Sequence, residues 1–406
     1  MNRVVVTGVG VISALGNNSG EYAEALQAGR SAIGPLNIMA GEMAGSWMAA
    51  EVPNFDPAAH FEPRKLKLLD RASRFALVAT AEAVKESGLA FTEELGARTA
   101  VIIGSGSGGA VTTDESYYRL YAEREPRLHP LTIPKLMFNA AASHITIDHG
   151  ITGPSFVIAS ACSSANSAIG MALQMVRSGA VDVAITGGTE ACLNFGSLKS
   201  WEALRVMAPD TCRPFSKGRK GMVLGEGAAI FVLETLEHAQ ARGAAIRAEI
   251  AGAGMSSDAQ DIAVPAVAGA ASAMKACLRD AGLNAGDVDY INAHGTGTQA
   301  NDAVETQAIH EVFGQHAGKL FVSSTKAMHG HALGAAGALE LAATIIAMER
   351  RFVPPTVNFL EADPSCDLDH VPNEARAASI GVAISNSFAF GGHNAVIAVR
   401  RSPSAH

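Results

Sequence analysis

Short β-branched runs alternate with longer amphipathic stretches from one end of the chain to the other. Residues 4–7, 99–103, 155–158, 181–186 and 228–233 predict one series of strands, and 246–250, 288–292, 320–323, 380–385 and 395–399 a second. Helical periodicity fills the gaps at 71–87, 165–178, 268–281, 301–313 and 335–348. Strands alternating with helices imply parallel sheets covered by helical layers. The two series run through similar element orders and change over near 240–245, which predicts an internal structural duplication. The apolar run at the start follows a single Arg and resembles a secretory leader. Its Val4, Val5 and Val6 followed by glycines read better as a first buried strand and turn. Residues 333–348 are the other apolar stretch, but Glu340 interrupts them and they are short of the roughly 20 residues that span a bilayer.

With 406 residues the chain has length for two or three domain-sized units, or for one two-part α/β body. The 41 glycines and low aromatic content favour closely packed helices together with buried parallel strands. A formal charge of −8 argues against nonspecific binding to nucleic acid or to an anionic membrane, so an acidic partner has to be met by a local basic island. The five cysteines are odd in number and widely spaced, with no CxxC pair. This is the usage of a reducing compartment, and a soluble cytoplasmic protein is the expectation.

Cys162 stands where a β-rich run meets an Ala/Ser-rich helix, in Ile158-Ala-Ser-Ala-Cys162-Ser-Ser. An arbitrary cysteine is more often a buried structural thiol. At a helix start, however, free N–H groups and the dipole favour thiolate and supply an oxyanion donor. His294 lies in a Gly-rich loop just past a strand, and Lys326, His329 and His331 repeat that arrangement in Ser323-Ser-Thr-Lys326-Ala-Met-His329-Gly-His331. The spaced pair His329 and His331 has no carboxylate or thiolate set beside it, and no metal site is expected. A fourth cluster, Ser385-Asn-Ser-Phe388-Ala-Phe390-Gly-Gly-His393-Asn394, reads equally as a buried turn or as an anion-binding loop with two rings over a pocket. Residues 104–109 satisfy GxGxxG after a strand, but the stretch from Ala110 onward is a poor helix start and nucleotide binding is not expected.

Taken in order, VVVTGVGVIS, SACSS, GGTEA, LGEGAA, HGTGT, STKAMHGH, LGAAGALE and SNSFAFGGHN give the chain a family resemblance over essentially its whole length. It resembles the elongating (type II) β-ketoacyl-acyl-carrier-protein synthases of the thiolase-like superfamily. The resemblance implies a five-layered αβαβα fold from two βαβαβαββ halves, here 1–244 carrying the nucleophilic Cys and 245–406 carrying the two His and the Lys. It implies Cys162, His294 and His331 as a Cys-His-His triad, Lys326 as the supporting lysine and Glu340 as the buried acid paired with it. Phe390 becomes a gating residue whose N–H joins that of Cys162 in the oxyanion hole, and Thr296 and Thr298 contact a phosphopantetheine arm. The implied reaction is decarboxylative condensation of a malonyl group with an acyl chain on Cys162, on acyl carrier protein and without a cofactor. A homodimer is implied, or a heterodimer with a chain-length factor.

The same resemblance places carrier docking at Arg64, Lys65, Lys67 and Arg71, with Arg127, Lys217 and Arg219 as further candidates; ordinary solvated faces are the competing reading. Some positions leave the family pattern. Ala389 replaces a gating glycine, and His329 and His393 replace threonines. Ser107 and Thr132 stand where bulkier residues border the acyl pocket, and Phe388 lies beside the gate. A roomier, more polar pocket points to unsaturated or aryl-bearing chains, as in specialised type II polyketide or aryl-polyene synthases.

Overall fold

The computed structural model describes residues 2–38 and 47–402. Ten strands form one continuous hydrogen-bonded run: β1 (Val4–Ser13), β2 (Thr99–Gly104), β3 (Ser155–Ile158), β4 (Val183–Glu190), β5 (Gly227–Thr235), β6 (Ala248–Ser257), β7 (Tyr290–Asn292), β8 (Phe321–Ser323), β9 (Val382–Ala389) and β10 (His393–Arg401). Their spatial order is β8-β7-β9-β10-β6-β1-β5-β4-β2-β3. Read outward from the β6-β1 junction, each block of five repeats the same order. In each, the two inner pairings are antiparallel (β1 with β5 and β5 with β4; β6 with β10 and β10 with β9). The two outer pairings are parallel (β4 with β2 and β2 with β3; β9 with β7 and β7 with β8). The blocks meet where Val4, Val5 and Val6 pair antiparallel with Ile250, Glu249 and Ala248. The duplication expected from the alternating pattern is therefore visible in strand order and direction alike.

Helices complete the layers. α1 (Arg71–Ser87) covers the outer face of the first block and α2 (Ala140–His149) packs on α1, while α4 (Val267–Ala281) and α5 (Gln299–Phe313) cover the second. Between the blocks lie α3 (Ser164–Arg177) and α6 (Ala336–Arg350), which touch strands of both. α6 is buried from Ala336 through Met348. A helix apolar around its whole circumference belongs in a core, and here its Ala and Gly residues let both strand blocks approach it closely.

β1 is longer than the expected 4–7 strand, and its glycines do not form a turn. A Cβ on Gly8 or Gly10 would sit 2.0 Å from the Ala83 carbonyl oxygen or 1.9 Å from that of Ala79, so α1 lies directly on the strand backbone. The segment after Gly109, expected to be a poor helix start, is a helix at Ala110–Tyr121. Among the described residues, no helix is long and apolar enough to cross a membrane.

Candidate active site

A tight 3-10 turn at Ala161–Ser163 runs straight into α3 and carries Cys162 at the helix mouth. Ala161 is held at φ +50°, a left-handed conformation that L residues adopt only under constraint. The Ser164 hydroxyl donates to the Ala161 carbonyl at 2.6 Å and accepts from the Ser160 N–H, bracing the turn. Cys162 is 7% exposed. Burial pushes its thiol up to about 12, against the downward pull of the Lys326 charge. Removal from water thus opposes the thiolate-favouring effect expected of a helix start. His331 Nε2 lies 3.2 Å from Cys162 Sγ.

The other polar groups arrive from the C-terminal ends of β7, β8 and β9, neighbouring parallel strands in register at Asn292, Ser323 and Ser385. Loops leaving such ends gather functional groups at one place. His294 follows β7, and its ring meets His331 edge to face with centroids 5.4 Å apart. Its backbone N–H and that of Gly295 both donate to Glu305 of α5 at 2.8 Å, while the Asn386 amide donates to the same carboxylate at 3.0 Å. Lys326, fully buried, directs its ammonium at the His294 carbonyl (2.7 Å), at His294 Nδ1 (3.3 Å) and at Glu340 Oε1. An ammonium only donates, so His294 Nδ1 accepts and the ring proton belongs on Nε2. Burial, reinforced by Lys326, holds both histidines well below the ordinary imidazole range, so they are neutral at physiological pH. Burial raises Glu340 while Lys326 pulls it back. His329 is also buried, but its nitrogens pair with Thr325 Oγ1 and the Gly330 carbonyl, bracing the turn that presents His331.

Cys162, His294 and His331 open into a cavity walled by Trp201, Phe388, Ala389 and Phe390, with Thr296 and Thr298 on its polar side. The two threonine hydroxyls share a 2.9 Å hydrogen bond, and Thr298 also caps α5. Phe388 meets His294 edge to face at 6.0 Å. Phe390 is 37% exposed at the rim and stacks on Trp201. Neither Ser107 nor Thr132 lines this cavity. Ser107 donates its hydroxyl to Glu190 at 2.6 Å, and Thr132 donates to the His129 carbonyl at 2.8 Å. Glu190 also accepts from the N–H groups of Gly106 (2.7 Å) and Gly334 (2.9 Å), tying together the loop after β2 and the turn before α6.

Two of the expected docking residues are spent inside the protein. Arg71 makes a double hydrogen bond to the buried Glu226, at 2.6 and 2.8 Å. Arg219 is 2% exposed and lies between Asp302, at 3.4 Å, and Asp363. Its Nε donates to the Thr298 carbonyl at 3.1 Å, so it shapes the threonine loop and cannot meet a partner. Lys65 is partnered by Asp148 and Lys217 by Glu361. Arg64, Lys67 and Arg127 are exposed. Sequence reasoning passed over Glu305, Glu190, Trp201 and the exposed Arg205, which adjoins the cavity residue Val206. The first two are placed by tertiary hydrogen bonds that no local pattern announces; Arg205 stands alone, outside any basic run.

Two duplicated α/β blocks around central helices, with a cysteine opening one of those helices and polar loops closing over it, define a thiolase-like protein. The model of the β-ketoacyl synthase N-terminal domain matches residues 1–239 and that of the C-terminal domain residues 247–360. Nodulation protein E of Rhizobium sp. (strain N33) is 48% identical over 98% of this chain and 99% of its own. The 3-oxoacyl-[acyl-carrier-protein] synthase 2 of Coxiella burnetii is 42% identical over 98% of each chain. Among solved structures, the ishigamide ketosynthase/chain length factor superposes with a TM-score of 0.93 at 38% identity, covering 99% of both chains. The chain belongs to the β-ketoacyl synthase family.

Proposed function

We propose that this chain is a β-ketoacyl-acyl-carrier-protein synthase that carries an acyl chain on Cys162 and extends it by two carbons. The observation that carries the reading is the unbroken contact series Cys162, His331, His294, Lys326, Glu340 at the floor of an apolar cavity. In the first half-reaction the Cys162 sulfur attacks the acyl thioester as its proton passes to His331. N–H groups at the start of α3 and in the Phe390 loop hold the tetrahedral oxyanion, the pantetheine thiolate leaves, and His331 returns the proton to it. In the second, the carboxylate of a malonyl thioester departs as CO2 and its electron pair becomes an enolate. The Nε2–H of the neutral His294 donates to the enolate oxygen, a contact worth roughly 3 to 4 kcal/mol. The enolate carbon attacks the acyl carbonyl on Cys162, the C–S bond breaks and the thiolate takes a proton from solvent. Atoms and electrons balance with no redox cofactor or metal.

Thr296 and Thr298 are positioned to hold the pantetheine arm. Arg64, Lys67, Arg127 and Arg205 offer exposed positive charge to an acidic carrier protein, and Lys65 and Lys217 contribute once their surface carboxylates exchange. β3 closes one end of the strand run with half-exposed residues. An open edge of that kind is where a second subunit continues the sheet, either another copy of this chain or, as the name of the ishigamide structure favours, a chain-length factor. Incubation with acyl-carrier and isotopically labelled malonyl-carrier protein tests the reading: a labelled 3-oxoacyl product two carbons longer is expected, and release of free acid alone would make the protein a thioesterase.

A further inference from the structure

Trp201 and Phe390 belong to different halves of the chain and meet over the nucleophile. Their ring centroids are 5.7 Å apart with planes 20° from parallel, an offset stack. Trp201 rides on the helix Phe195–Ala203, capped at its start by Asn194, and Phe390 on the tip between β9 and β10. That tip is itself tied down: Gly391 N–H donates to the Ile262 carbonyl at 2.7 Å and the Asp258 N–H to Gly392 at 2.9 Å. Both rings wall the cavity that contains the buried Cys162, so a chain delivered to the thiol passes along them and takes aromatic surface from their stack.

Resting on the ketosynthase reading, we propose that Trp201 is a specificity-determining residue and that it favours conjugated or aryl acyl chains over saturated ones of equal length. A flat sp² chain laid on the indole regains the face-to-face contact that Phe390 gives up. A saturated chain regains only the hydrophobic part. Because an aromatic stack shifts an equilibrium by a few-fold to about tenfold, the conjugated chain should acylate Cys162 about three to ten times faster.

The test is the initial rate of Cys162 acylation, followed by intact mass, from one carrier protein loaded with a saturated or a conjugated chain of the same length. Wild-type protein should show the preference, Trp201→Phe should keep most of it, and Trp201→Leu should accept both chains at a ratio near one. In Trp47→Phe protein Trp201 is the sole tryptophan of the chain's two, and a conjugated chain on Cys162 should quench its emission where a saturated chain does not. Equal rates or a saturated preference in the wild type, or an unchanged ratio in Trp201→Leu, would overturn the proposal. Absence of acylation by either chain would instead remove the ketosynthase reading on which it rests.

Discussion

Replacing Lys326 by Met tests the link between the buried ion pair and the chemistry. Lys326 and Glu340 are both 0% exposed, and the ammonium serves three acceptors, two of them on His294. Methionine preserves much of the volume but leaves a buried carboxylate without its cation, which costs about 3–5 kcal/mol. With an unfolding entropy of about 2.1 cal/mol/K per residue, 406 residues give about 0.85 kcal/mol/K, so the melting temperature should fall by about 4–6 °C. Adding Glu340→Gln removes the stranded charge, and the double variant should recover most of that loss. Activity should behave differently. In both variants His294 Nδ1 has lost the donor that fixes its tautomer, so CO2 release from malonyl-carrier protein should fall by about 10²-fold or more, the scale of one lost oxyanion donor. Acylation of Cys162, which uses His331, should persist in both. Differential scanning and CO2 release on the same preparations decide the matter. A double variant that regains decarboxylation together with stability would show that Lys326 acts through folding alone.

Alkylation of Cys162 by iodoacetamide should be slow at pH 7 and keep rising with pH beyond 9, because burial raises the thiol; a plateau near pH 7 would contradict this. Since the folded His294 and His331 lie well below the usual imidazole range, their neutral form persists as pH falls, and decarboxylation between pH 8 and 5.5 should show no inflection near 6.5. Arg64→Ala/Lys67→Ala should raise KM for carrier protein severalfold, more at low salt, with kcat unchanged. Arg219→Met should instead lower stability by about 3–5 kcal/mol, because it strands Asp302 inside the fold.

Strand and helix positions were largely legible in the sequence because both faces of a buried parallel sheet demand apolar residues, and 71–87 coincides with α1. Strand ends were not: β6 runs through Gly252 and Gly254 to Ser257, where the small residues admit α4 and conceal the strand from propensity. Cys162 and both histidines stand out as Gly- and Ser-rich breaks after strands, and the fold gathers them at one cavity. Docking charges are not legible, because charge in sequence says nothing of depth. Arg71 and Arg219 look like members of basic runs, yet each is fixed by a carboxylate far along the chain, Glu226 and Asp302. The position of Ser107 suggests a polar lining for the acyl chain, while its hydroxyl is committed to Glu190.

The division of labour between Cys162 and His294 is the central claim, and intact mass spectrometry of Cys162 measures it directly. Incubated with acyl-carrier protein, wild type and His294→Ala should both gain the acyl mass. On addition of malonyl-carrier protein, the wild type should lose that mass to a 3-oxoacyl product, and His294→Ala should keep it. An unacylated Cys162 in the wild type, or an acyl group cleared as readily from His294→Ala, would contradict the account.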